Sequence, residues 1–279
     1  MAQSMKDIKN RIKSVQSTRQ ITKAMELVAS SKLRGARERV DKSRPFFSAY
    51  RETIDDILNN SRGLDSPYCS EEMPKKPCYC VIGGDRGLAG GYNSNIFKAV
   101  LAHMDGRECK ILPIGKKTVD FFRNKNEIIT EDYAVVGNLK ISDCLNIGKL
   151  LSDGFLKGEF DGVYIAYTQM TNMLVQTPMV IQVLPLKAEN KTEEKKMRTS
   201  VLFEPSPGGV FKSIVPGYVG GLLYTSVAES YSSELCARRN AMETATKNAD
   251  EMIDSLNLMY NRARQSAITQ EITEIVAGS

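Results

Sequence analysis

The chain has 279 residues, with 38 Lys and Arg against 33 Asp and Glu, and a formal net charge of +5. Hydrophobic residues make up 42% and charged residues 25%, which excludes a disordered or collagen-like chain and allows a sizeable core. One His and six Cys leave little material for a His-based metal centre, and so small a basic excess permits an acidic partner without demonstrating nucleic-acid binding.

Gly and Pro divide the chain. Residues 1–62 contain only Gly35 and Pro45 as breakers, residues 222–277 contain neither, and nearly all the rest lie between Gly63 and Gly221. This predicts an N-terminal helix in 1–62, a mixed α/β domain in 63–221 and a C-terminal helix in 222–279. The opening Met1–Lys6 lacks the apolar stretch of a secretory signal, and no run approaches the roughly 18 apolar residues of a membrane span. A soluble intracellular chain with reduced, structural thiols is expected, since the cysteine spacing is irregular and the nearest pair is C-x-C.

In the first part, Ile8, Ile12 and Val15, then Ile21, Met25 and Val28, then Leu33, Ala36 and Val40 recur at steps of 3 and 4. That spacing predicts one helical face, interrupted by Thr18, Arg19 and Gln20. Pro45 is expected to kink the helix or remove one hydrogen bond, with the element continuing to about Leu58.

The middle predicts alternating strands and helices. Strands are expected at 78–83, 109–115, 162–167 and 179–186, the last an edge strand ended by Pro185. Helices are expected at 94–104, with Asn93 or Ser94 as N-cap, and at 117–124 and 141–156. Residues 187–198 read as a charged loop, and the order suggests an open, Rossmann-like sheet. In a strand, Cys78 and Cys80 would share a face.

The last part shows Met242, Ala245, Ala249, Met252, Leu256, Met259 and Ala263 at alternating steps of 3 and 4, a coiled-coil seam. One helix over 226–276 would be about 75 Å long, so part of it must project into solvent or into another protein. Resolved along the chain, the charge is +6 in 1–60, −3 in 225–279 and +2 between, so a basic helix and an acidic helix are available to pair.

Chemistry is sparse. Gly83-Gly84-Asp85-Arg86-Gly87-Leu88-Ala89-Gly90-Gly91 follows a strand and precedes a helix, as a phosphate-binding turn would. It lacks the P-loop Lys pattern, and no acidic residue ends the following strand. A nucleotide site, a structural turn and a loop facing a protein partner all remain open. No nucleophilic triad is visible, and His103 is expected on a helix surface. The basic first helix has no aromatic before Phe46, which disfavours single-stranded nucleic acid.

Four stretches carry a resemblance. Ile21–Lys32 (ITKAMELVASSK), Asp85–Asn93 (DRGLAGGYN), Arg239–Ala249 (RNAMETATKNA) and Arg264–Val276 (RQSAITQEITEIV) resemble the gamma subunit of F-type ATP synthase, over essentially the whole chain. The resemblance implies an α/β chain whose terminal helices form a long antiparallel two-helix coiled coil, with a Rossmann-like middle domain as foot. It implies a central rotor shaft, one copy per complex, with no catalytic site, cofactor or metal of its own. The implied partners are the alpha and beta subunits, the epsilon subunit and the c-ring, with no nucleic acid. By the same resemblance Lys23, Met25, Asp85, Arg86 and Ala89 face a lever segment of beta, and Arg264, Gln265 and Thr269 face its catch loop. Ile272–Ser279 form the tip, and Phe203 and Glu204 make the foot contact to the c-ring or epsilon. The family often has Cys at Ala89, Ser or Thr-Ser at Gly83-Gly84 and Tyr at Phe203. A chain without the chloroplast dithiol insert or a transit peptide is expected on the cytoplasmic face of a bacterial membrane. The competing readings are a nucleotide-binding α/β enzyme and a basic coiled-coil adaptor of nucleic acid.

Overall fold

The computed structural model describes residues 5–60, 66–133, 135–186 and 206–278. The elements are α1 (Met5–Asn60), β1 (Pro77–Ile82), α2 (Tyr92–Met104), β2 (Lys110–Ile114), α3 (Lys116–Phe122), β3 (Glu127–Ile128), α4 (Ile141–Leu156), β4 (Gly162–Met170), β5 (Gln176–Leu184) and α5 (Pro207–Ala277). Contacts divide the chain into two compact units, Met1–Ser31 with Arg238–Ser279, and Lys32–Ala237.

The Lys32–Ala237 unit is an α/β sandwich. Its sheet has the order β3-β2-β1-β4-β5, parallel except for β5, which pairs antiparallel with β4 along the edge. The period-2 alternation of β1 feeds two cores. Cys78, Cys80 and Ile82 pack with Ile147 and Leu151 of α4, Phe211, Val215 and Val219 of α5, and Ile54 and Ile57 of α1. Tyr79 and Val81 pack on the other face with Ile96, Phe97 and Val100 of α2 and Phe122 of α3. A strand covered on both faces must be apolar throughout, as β1 is. The six cysteines are free; burial pushes the Cys78 and Cys80 thiols up and Cys144 up to about 12, so these three are inert packing groups.

Several boundaries differ from expectation. α2 begins at Tyr92 with Gly91 as N-cap and no side-chain cap, because Asn93 turns back to accept from the Gly84 amide at 2.8 Å. β3 is a two-residue strand that the sequence pattern does not announce. α5 begins at Pro207, well before the stretch free of Gly and Pro. The intervening glycines are needed for packing. A Cβ on Gly220 would lie 2.8 Å from the Cys144 carbonyl oxygen and Leu145 Cα, and one on Gly221 would lie 2.3 Å from the Phe47 ring. Close helix approach therefore overrides low helix propensity. His103 does not sit free on a surface: its Nδ1 is 2.8 Å from the Tyr79 hydroxyl, and its ring lies edge-on to Tyr79 and Tyr164.

In the other unit, α1 and α5 run antiparallel. Thr22 faces Thr246 (Oγ1–Oγ1 2.8 Å) and Arg19 forms an ion pair with Asp250, so the partner number falls as the residue number rises. The buried and half-buried row on α5 is Met242, Thr246, Ala249, Ile253, Leu256, Tyr260, Ala263 and Ala267. Its steps of 4 and 3 are the heptad spacing the sequence predicts, turned by one position at alternate sites. Met252 and Met259, expected in the seam, are 48% and 49% exposed. On α1 the row runs through Ile8, Ile12, Val15, Thr22 and Ala29, whereas Ile21 and Val28, also expected there, are 61% and 55% exposed. The polar pairs explain this shift. Thr22 and Thr246 are buried to 8% exposure, and a directed hydrogen bond fixes a register that apolar contact leaves loose.

Candidate functional site

The glycine-rich turn leaves the C-terminal end of β1, beside the crevice where β1 and β4 diverge. In open α/β sheets this switch point receives the ligand. Here α5 occupies it. Ser230 and Ser233 are fully buried, Glu234 nearly so, and the Tyr92 hydroxyl lies 2.8 Å from Ser230 Oγ. A Cβ on Gly84 would fall 2.9 Å from Glu234 Oε1, and one on Gly83 would fall 2.3 Å from Thr118 Oγ1. The first two glycines thus admit side chains of α5 and α3 into the crevice. The Asp85 carboxylate accepts from the Val136 amide at 3.0 Å, which ties the turn to the loop before α4.

Beyond that anchor the loop turns outward. Arg86 is exposed, Ala89 is buried within its own unit, and Leu88 between them is 64% exposed. Leu88 also holds a φ of +62°, a conformation that costs a non-glycine residue about 1 kcal/mol or more. The glycine pattern and the resemblance do not single out Leu88, although a bulky apolar residue inside a glycine run is a signal in itself.

In the paired-helix unit Lys23 is exposed and bridges Glu26 at 3.0 Å, and Met25 is half-buried. Arg264, Gln265 and Thr269 are all exposed, with Thr269 Oγ1 donating to the Gln265 carbonyl at 2.9 Å. Arg264 lies 18 residues beyond Thr246, which faces Thr22, so these residues stand about 27 Å further along the unit than Lys23. The antiparallel register brings Arg264 opposite the start of α1 at Met5, so among the described residues no helix faces the rest of α5. Ile268, Ile272, Ile275 and Val276 are exposed along it, Ile275 to 72%. Asp85, Arg86 and Ala89 belong to the other unit. Phe203 and Glu204 lie outside the described residues.

Among the described residues, no group of His, Cys, Asp and Glu could hold a metal ion, and no helix is long and apolar enough to cross a membrane.

A family model described as ATP synthase matches residues 4–279. An ATP synthase gamma chain of Alkaliphilus metalliredigens is 43% identical over 285 residues, covering 100% of this chain and 99% of that one. A sodium ion specific ATP synthase gamma chain of Acetobacterium woodii is 42% identical over 298 residues, with coverage of 100% and 99%. Among solved structures, a chain of the Euglena gracilis mitochondrial ATP synthase OSCP/F1/c-ring assembly aligns with a TM-score of 0.65 at 17% identity, covering 98% of this chain and 93% of that one. A chain of the Tetrahymena thermophila mitochondrial ATP synthase central stalk/c-ring aligns with a TM-score of 0.60 at 21% identity, covering 81% and 99%. The outward apolar helices, the filled crevice and this full-length likeness agree: the chain belongs to the ATP synthase gamma chain family.

Proposed function

We propose that the chain is the central rotor shaft of an F-type ATP synthase. It couples ion-driven rotation of a membrane c-ring to sequential conformational changes in three catalytic beta subunits, and it has no catalytic site of its own. Residues 1–62 and 222–279 supply the shaft helices and residues 63–221 the foot. The observation that carries this reading is the paired-helix unit, where Ile21, Val28, Met252 and Met259 point away from the helix partner. A two-helix rod lacks three-fold symmetry, so three identical neighbours each meet a different face. Each face biases its neighbour's open–closed equilibrium, and nucleotide affinity follows by linkage. A rim of Met and branched aliphatic side chains can slide in an apolar sleeve without deep traps.

In this reading Lys23, Met25, Asp85 and Arg86 serve the beta lever contact, with the exposed Leu88 in the place expected of Ala89, which is buried in its own unit. Arg264, Gln265 and Thr269 serve the catch loop, and Phe203 and Glu204 the c-ring or epsilon. The complex holds the chain at the cytoplasmic side of a bacterial membrane, as a peripheral subunit.

The test is co-expression of the tagged chain with alpha and beta subunits. The expected result is a complex with one copy of the chain and ATPase activity that rises on assembly. Ala267→Lys with Ile268→Lys should lower coupled ATP synthesis at least tenfold. Recovery of the chain without alpha and beta, or unchanged synthesis in that variant, would contradict the reading.

A further inference from the structure

β4 outlasts β1. The last paired position is Val81 against Ala166, and β1 then turns away at Gly83, while β4 continues to Met170. Thr168 is therefore a strand residue whose backbone groups on that side have lost their ladder partner. Two side chains of α5 replace it. The Thr168 amide donates to Ser230 Oγ at 3.2 Å, and Ser233 Oγ donates to the Thr168 carbonyl at 2.9 Å. The amide and carbonyl of one strand residue point to the same edge, and residues three apart share a helix face, so the two bonds close as a bracket. Across the sheet Thr168 faces Pro178, which has no N–H to offer, and Thr168's own groups are turned away from it. The Tyr92 hydroxyl meets Ser230 Oγ at 2.8 Å and ties α2 to the same point.

From this geometry we infer that Ser230 and Ser233 are positioning residues that lock the rotation of α5 against the sheet and carry torque from foot to helix. The inference rests on the shaft reading above. Most of the burial of α5 in this unit is apolar, with Phe211, Val215, Val219, Leu223 and Val227 in the core, and beyond the bracket the Cys236 thiol donates a weaker bond to the Met173 carbonyl at 3.0 Å. Apolar burial is strong but non-directional, and packed side chains can roll between rotamers. Two directed bonds from one strand residue to one helix face fix the angle about the helix axis. Both serines are fully buried, so water cannot stand in for them when the helix is loaded. Ser232, equally buried, bonds the Ala228 carbonyl of its own helix at 2.9 Å, and so serves as the control hydroxyl that never touches β4.

The experiment compares the assembled ATP synthase carrying Ser230→Ala with Ser233→Ala against the assembly carrying Ser232→Ala. Three quantities are read: amide exchange at Thr168 in the chain, ATP hydrolysis, and gradient-driven ATP synthesis. The expected result is exchange at Thr168 at least tenfold faster in the double variant. Hydrolysis stays within twofold and synthesis falls at least fivefold, while Ser232→Ala matches the unsubstituted complex throughout. Unchanged Thr168 exchange would overturn the bracket, and faster exchange with unchanged synthesis would overturn its role in torque. If the double variant does not assemble, Ser230→Ala alone, which removes the acceptor of the Thr168 amide and leaves Ser233 bonded to the Thr168 carbonyl, is read by the same criteria with a twofold fall in synthesis expected. Failure of the shaft reading itself would look different, since even the Ser232→Ala complex would then show no association with alpha and beta.

Discussion

The two compact units use the same two helices in different ways. In the Lys32–Ala237 unit, α1 and α5 press Ile54, Ile57, Phe211, Val215 and Val219 into a core that leaves them almost no exposure. In the Met1–Ser31 and Arg238–Ser279 unit they meet along one narrow row, pinned by Thr22–Thr246 and Arg19–Asp250. There Ile21, Leu27, Val28, Met252, Leu258 and Met259 stay outside. A helix that packs on one neighbour covers one stripe, whereas a helix lying on a sheet is covered more widely. The α/β unit therefore completes its burial within the chain. The paired helices carry more apolar surface than one partner can cover, which is what a surrounding sleeve would use.

The sharpest way to break that comparison is to attack the α/β core. A Cβ on Gly148 would lie 2.4 Å from the Gly220 nitrogen and 2.6 Å from the Pro216 carbonyl oxygen, both backbone atoms that cannot swing aside. Gly148→Ala should cost more than about 3 kcal/mol in chemical denaturation, because α4 must lift off α5. Leu151→Ala, in the same core, should cost about 3 kcal/mol, while Leu258→Ala on the paired helices should stay within about 0.5 kcal/mol in the free chain. Equal costs would erase the distinction between the units.

A smaller effect is expected at the polar pin. Thr22→Val with Thr246→Val replaces both partners, so no hydroxyl is stranded, and the helix pair should gain about 1 kcal/mol in thermal melting while its register loosens. Broader distance distributions between spin labels across the pair would report the loosening. The smallest effect is one of pH. Burial and the Arg107 guanidinium hold His103 below its ordinary 6.5. As pH falls, the unfolded chain takes up that proton first, so stability is intact above about 6.5 and declines below it. Denaturation at pH 5.5 and 7.5 should show this loss, and His103→Gln should abolish the difference.

Much of this was legible in the sequence. The spacing in Ile141–Leu156 places α4 at its observed bounds, and the edge position of β5 follows from Pro185 and its neighbours. The coiled-coil period was legible too, but its phase was not. Hydrophobicity favours Met252 and Met259 for the seam, whereas a threonine pair between helices decides it, and such a pair is invisible until the two helices are laid together. The start of α5 was hidden by glycines that read as breakers and act as contact points. Ser230 and Ser233 have no local signature, because their partner is the backbone of a strand 62 to 65 residues away.

Amide exchange over the whole chain, free and in complex with alpha and beta subunits, tests the central claim most directly. The account predicts that the Met1–Ser31 and Arg238–Ser279 helices exchange quickly in the free chain and slow at least a hundredfold on assembly, with the sheet strands of the Lys32–Ala237 unit unchanged. Protection that falls on the sheet strands instead, with the paired helices exchanging as fast as before, would contradict it.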